Sequence, residues 1–117
     1  TPFAAVRRDG LPMAFAGLWE RWQDAASGEV IRTCAIVTTE ANATCAPVHA
    51  RMPVILPEED QGVWLGEGQP SPQALHALLR PFPAEAMEVY PVDARVGSVK
   101  NDDEGLLARL SVAALPL

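Results

Sequence analysis

His49 and Arg51 stand two residues apart in Pro47-Val48-His49-Ala50-Arg51-Met52-Pro53-Val54-Ile55-Leu56, a stretch that is otherwise apolar. A charge set among apolar neighbours is costly unless a partner offsets it. In an extended segment residues i and i+2 share a face, so the two side chains point together. Such a pair places a proton-transfer group beside a planar, permanently charged anion fork. The residues alone leave two readings open. Either both side chains serve structure, the histidine bonding a nearby loop and the arginine an acid such as Glu20 or Glu40, or both face a ligand.

Other residues able to do chemistry carry weaker signals. Glu20 lies between Trp19 and Trp22. An acid flanked by aromatics can serve as a proton donor, but an exposed strand-end acid beside a core tryptophan is the plainer reading. The two tryptophans can stack on nucleobases, although packing in a core is the commoner fate. Thr38-Thr39-Glu40-Ala41-Asn42 offers hydroxyls and an amide that could bind phosphate or cap a helix. Cys34 and Cys45 match no zinc or disulfide spacing and read as small buried apolar residues of a reducing cytosol. His76, in a leucine-rich helix, reads as solvent-facing or structural. No glycine-rich phosphate loop, metal-ligand set or nucleophile elbow is present in the sequence, so no metal or cofactor is expected.

The elements that must position these groups follow from pattern. Apolar runs on either side of Asp9-Gly10 predict a hairpin, with strands over 2–7 and 12–19. Residues 23–29 form a polar loop, and the β-branched run 30–39 predicts a third strand of an antiparallel meander. Residues 40–50 read as a structured loop, and Met52–Leu56 as a short buried strand that Pro53 confines to its start or to an edge. Pro57 suits the first position of a helix, with Glu58, Glu59 and Asp60 in its first turn and Gly66 beyond its end. Ser71 and Pro72 open a second helix that bears Leu75, Leu78 and Leu79 on one face and runs to Pro81. Residues 87–92 predict another strand, and 94–110 short helical turns and loop. Strands first and helices later predict an α+β domain with antiparallel, barrel-like sheets and a few short peripheral helices.

With 117 residues and 49% hydrophobic content the chain fits one domain with an ample core. No apolar run is long enough for a membrane-spanning helix, and no signal-peptide pattern opens the chain. The net charge of −6 argues against a general polyanion-binding surface. A local basic groove is still possible, because eight arginines accompany a single lysine.

Taken together, four segments carry a resemblance to one family. These are Pro12–Trp22 (PMAFAGLWERW), Cys34–Asn42 (CAIVTTEAN), PVHARMPVIL followed by an acidic helix with VWL, and Tyr90–Asp103 (YPVDARVGSVKNDD). Their order and spacing resemble the C-terminal half of an SOS response-associated peptidase (SRAP) domain over nearly all 117 residues, and the start at Thr1 reads as a chain cut within that domain. The resemblance implies sensing of abasic sites in single-stranded DNA. Family members expose an N-terminal cysteine after removing their own initiator methionine. Its amine and thiol close a thiazolidine on the ring-opened sugar, a DNA–protein crosslink that protects the lesion. The resemblance assigns His49 to the family's catalytic histidine, Arg51 to an arginine contacting DNA phosphate, and Thr38 to a threonine lining the pocket. The assisting asparagine and glutamate belong to the other half of the domain, and Glu20 matches a separate family element.

Two departures bear on function: LWERW around Glu20 only imitates the family's upstream glutamate motif, and the crosslinking cysteine is missing. The crosslinking cysteine is absent from these 117 residues, since Cys34 and Cys45 are internal and their nitrogens lie in amides. The fragment alone is therefore expected to be inactive in crosslinking unless the N-terminal half is supplied. The expected partner is single-stranded DNA with abasic sites, the expected setting the bacterial cytoplasm at the nucleoid, and the expected chemistry of the whole protein peptidase (hydrolase) or lyase. Competing readings are a non-catalytic single-strand-binding module and a peptidase acting on other proteins.

Overall fold

The β-branched run from Val30 forms a strand, as its composition dictates. In the computed structural model, which describes residues 1–110, β2 (Gly17–Gln23) and β3 (Val30–Ile36) make an antiparallel hairpin that pairs Gly17 with Ile36 and Gln23 with Val30. Its loop is residues 24–29, the predicted polar segment less Gln23, which ends β2. The Asp24 N–H donates to the Glu29 carbonyl at 2.8 Å, and Gly28 takes the positive φ of +74° that a residue without a Cβ adopts freely. Every residue of both strands is exposed, Trp19 at 72% and Trp22 at 56%. The expectation that the tryptophans sit in a core is not met: strand propensity gives the local conformation, but no layer among the described residues covers this hairpin. The radius of gyration, 18.0 Å, exceeds the roughly 13 Å of a compact domain of this length.

The predicted strand over 30–39 is real but changes partner at Val37. Before it the chain pairs with β2. After it, β4 (Thr38–Glu40) pairs with β5 (Arg51–Pro53), placing Thr38 opposite Pro53 and Glu40 opposite Arg51. Three backbone bonds of 2.9 Å join the segments at the change-over: Ala16 N–H to Val54 O, Val54 N–H to Val37 O, and Val37 N–H to Ala16 O. Phe15 bridges Ile55 beside them. Pro53, the last residue of β5, donates nothing to the ladder, as its position at a strand end allows.

Asp9-Gly10 does turn the chain, with Gly10 at φ +74°, but the strands flanking it do not pair. β1 (Phe3–Arg7) instead pairs with β6 (Met87–Pro91), Phe3 opposite Pro91 and Arg7 opposite Met87. The reason is local. The Asp9 carboxylate accepts from the Arg7 guanidinium at 2.6 Å and from the Leu11 N–H at 3.0 Å, and Pro12 has no N–H to give to a ladder. The chain then leaves β1, and Ala14 and Ala16 bond with Leu56 and Val54.

α1 (Glu58–Trp64) begins one residue after Pro57, which caps it instead of occupying its first turn. The three acids fill that turn, Gly66 at φ +94° follows the helix, and Trp64 Nε1–H donates to the Gly17 carbonyl at 3.1 Å. α2 (Pro72–His76) has the expected Ser71 cap, its hydroxyl accepting from Ala74 N–H at 3.1 Å. It ends at His76, which is exposed, instead of reaching Pro81. Leu78, beyond the helix, is still buried. Short 3₁₀ turns at Ala84–Ala86, Ala94–Gly97 and Glu104–Leu107 complete a mixed fold of antiparallel sheets and few helices. The sheets are three two-stranded ones, and among the described residues they do not close into a barrel.

Two cores lie on either side of the 52–56 segment. Met52 and Ile55 join Cys45, Phe82 and Met87, while Val54 and Leu56 join Ala16 and Leu78. Burial on both sides explains why that segment is apolar without alternation. Met87, 1% exposed, lies in the first core. Met87→Ala should lower stability by about 2–5 kcal/mol through lost contacts and a residual cavity, measured by urea unfolding followed through tryptophan fluorescence.

Candidate functional site

The loop from Asn42 to Arg51 carries His49, and a series of hydrogen bonds fixes it from end to end. Asn42, the one buried polar residue among those described, accepts from Cys45 N–H at 2.9 Å through Oδ1. Its Nδ2 donates to the Phe82 carbonyl at 2.7 Å, and Met52 and Met87 sulfurs lie 3.4 Å from its backbone and side-chain nitrogens. Thr44 Oγ1 donates to Ala84 O at 2.7 Å, tying the loop to the turn before β6. The Cys45 carbonyl then accepts the His49 N–H at 3.1 Å, and Ala41 N–H donates to Ala50 O at 3.0 Å. The amide of Asn42, which the sequence offered for phosphate binding, is thus consumed in structure.

His49 and Arg51 are brought together, but by a bend at Ala50 that sets the His49 ring on the Arg51 backbone and not by an extended run that points both side chains to one face; both residues are exposed. The ring Nδ1 of His49 accepts the Arg51 backbone N–H at 3.0 Å and lies 3.1 Å from the Arg51 carbonyl oxygen. Bare, Nδ1 accepts from the amide; protonated, it donates to the carbonyl. In the first state the neutral ring carries its proton on Nε2. The surrounding backbone therefore accommodates a proton on either nitrogen.

Arg51 also meets Thr38. Its Nη2 donates to both the backbone oxygen and Oγ1 of Thr38, each at 2.9 Å, across the β4–β5 pair. Among the described residues no carboxylate pairs with Arg51, neither Glu40 opposite it nor Glu20. The salt-bridge alternative is therefore not what forms, and the charge stays available. The three residues His49, Arg51 and Thr38 make one connected unit. Sequence reasoning named all three as candidates, Thr38 through the family resemblance, but not the Asn42 anchor. Its signal is an asparagine three residues before an amide that must be capped, the pattern of a side chain that closes a local turn.

Beside this unit lies an apolar hollow of about 310 Å³, lined by Phe3, Phe15, Val48, Met52 and Val89 as well as His49 and Arg51. Cys45 also reaches its wall, but burial pushes its thiol pKa up, opposite to what an activated thiolate nucleophile needs. Cys34 is exposed on the hairpin. Among the described residues no group of three or more histidine, cysteine or acidic side chains is placed to hold a metal ion. Likewise, no helix of the described chain is long and apolar enough to cross a membrane.

The chain is thus a mixed α and β fold of small antiparallel sheets, with His49 on a pinned loop and Thr38 and Arg51 on the two strands that the loop joins. Residues 1–99 match the family described as SOS response associated peptidase (SRAP), and the chain belongs to that family. It is similar to the abasic site processing proteins YoqW of Bacillus subtilis, 42% identical over 94 residues, and YoaM of the same organism, 44% identical over 94 residues. Each match covers 80% of this chain, against 42% of YoqW and 41% of YoaM. It is also 33% identical over 92 residues to the abasic site processing protein HMCES of Gallus gallus, covering 77% of this chain and 26% of that protein. A crystal structure of a protein from Bacteroides thetaiotaomicron superposes with a TM-score of 0.80 at 29% identity, over 94% of this chain and 48% of that one. The chain thus spans less than half the length of these relatives.

Removing the Asn42 side chain should leave the Phe82 carbonyl and Cys45 N–H without partners. Asn42→Ala is expected to cost about 1–3 kcal/mol. Hydrogen exchange should show the 43–50 amides losing protection before the β2–β3 amides do.

Proposed function

We propose that this chain is the C-terminal, histidine-bearing part of an SRAP domain that processes abasic sites in single-stranded DNA, with His49 as the proton-transfer group, Arg51 as the phosphate contact and Thr38 beside them. The observation that carries this reading is the pinned unit itself. An imidazole whose Nδ1 finds a backbone partner in either protonation state sits next to an arginine that has no acid partner among the described residues, at the edge of an apolar hollow. The abasic-site processing named for its relatives supplies the substrate class.

The chemistry needs what the unit offers. Opening the abasic sugar to its aldehyde moves a proton to the ring oxygen, and reversing a crosslink moves one back; an imidazole that can both accept and give up a proton serves both. On this reading the covalent step falls to an N-terminal cysteine in the other half of the domain. Its amine and thiol add to the aldehyde carbon and release water, leaving a thiazolidine. Arg51 would hold the flanking phosphate while the apolar hollow takes the uncharged face of the sugar. Proteolysis beyond removal of the initiator methionine has no support in these residues, since the one thiol near His49 is buried and its pKa is raised.

The test is protein expressed from its complete reading frame, mixed with single-stranded DNA carrying one abasic site and run on a denaturing gel. A covalent shift that vanishes when the N-terminal cysteine is replaced supports the reading; no shift overturns it. In that protein, His49→Ala should slow formation or reversal of the crosslink by roughly 10²-fold, and equal time courses would refute the proton-transfer role. Arg51→Ala should flatten the log–log salt dependence of single-strand binding by about 0.7. An unchanged slope would remove the phosphate contact.

A further inference from the structure

The β2–β3 hairpin carries a second feature outside this unit. Its register sets Arg21 directly opposite Arg32, and Trp19 opposite Cys34. The hydrogen bond between Asp24 and Glu29 makes that pair a hydrogen-bonded one. Alternation then makes Arg21–Arg32 and Trp19–Cys34 non-hydrogen-bonded pairs, the kind in which side chains stand closest, and puts both on one face of the hairpin. Like charges directly opposite each other destabilise a sheet. Among the described residues neither arginine has an ion-pair partner, and both are exposed. In a chain of net charge −6, two arginines without an acid partner among the described residues thus stand opposite each other, next to the pair that holds a tryptophan 72% exposed.

We propose that this face is a second contact for single-stranded DNA, in which Arg21 and Arg32 share one backbone phosphate and Trp19 stacks on a neighbouring base. A bridging phosphate converts the repulsion between the arginines into two charge-assisted hydrogen-bonding contacts, and tryptophan beside cations is the recurring platform for unpaired bases. The location fits the same strand of DNA. Thr38, which holds Arg51, lies six residues beyond Arg32 along a nearly continuous extended run, about 20 Å away. The contact rests on the reading of His49 and Arg51 as an abasic-site unit, because it extends the track of the DNA bound there.

Cys34, paired across the strands with Trp19, is a built-in reporter. In protein from the complete reading frame, alkylation of Cys34 by a maleimide, followed by mass spectrometry, should proceed without DNA and slow several-fold with saturating single-stranded oligonucleotide. Arg21→Gln combined with Arg32→Gln should flatten the salt dependence of oligonucleotide binding by about 0.7, one phosphate's share. Cys34 resistant to alkylation before DNA is added would mean that protein covers this face, and would overturn the contact. So would unchanged alkylation with DNA bound, an unchanged salt slope, or protection by a polyglutamate peptide but not by DNA. A protein that crosslinks abasic DNA yet shows no Cys34 protection sinks this contact alone; one that neither crosslinks nor binds also sinks the reading beneath it.

Discussion

Three backbone hydrogen bonds arranged in a ring hold the rest of the molecule in place. Ala16 donates to Val54, Val54 to Val37, and Val37 back to Ala16, each over 2.9 Å. Ala16 and Val54 have no exposed surface, so an unmade bond at either would leave a buried polar group without water to replace it. The ring is the point where one extended run gives up β2 as its partner and takes β5. The hairpin lies on one side of that point and the His49 loop on the other. Disturbing the ring would disturb both.

The site inherits its order from there through a second series of contacts. β4 and β5, aligned just beyond the ring, bring Thr38 within reach of Arg51. The loop that joins these strands is clamped at its start by Asn42 to Phe82 and Cys45, and two residues on by Thr44 to Ala84. Burial of that amide between two methionine sulfurs shows how a polar group is made tolerable in an apolar core: its strong donor and acceptor capacity goes to backbone groups, and the softer sulfurs fill the space around it.

How much of this could be read from the sequence depended on the range of the interaction. Ser71-Pro72 and the acidic turn after Pro57 act within four residues, and the helix starts they mark are found within a residue of the expected places. The pairing of His49 with Arg51 is equally local, although it comes from a bend at Ala50 that sets the ring on the Arg51 backbone and not from strand alternation. The hairpin predicted at Asp9-Gly10 misled because the same aspartate that signals a turn also binds Arg7 and Leu11, closing the turn on itself and leaving β1 to a strand some eighty positions away. No periodicity could reveal that partner. The exposed tryptophans likewise mark the limit of propensity, which describes a strand's conformation but not what lies against it. Of the candidate site, residue types and neighbours were legible; the Thr38–Arg51 link and the Asn42 anchor, which span thirteen and forty residues, were not.

The tether between Arg51 and Thr38 bears on the entropy of binding. A free arginine samples many rotamers, and an incoming anion must overcome that freedom, a cost of about 0.5–1.5 kcal/mol for each long side chain immobilised. Here one guanidinium nitrogen is already fastened to two oxygens of a neighbouring strand. Its remaining donors are presented by a side chain whose disorder was surrendered during folding. Association then depends less on how strongly the arginine pulls than on how little it still has to lose.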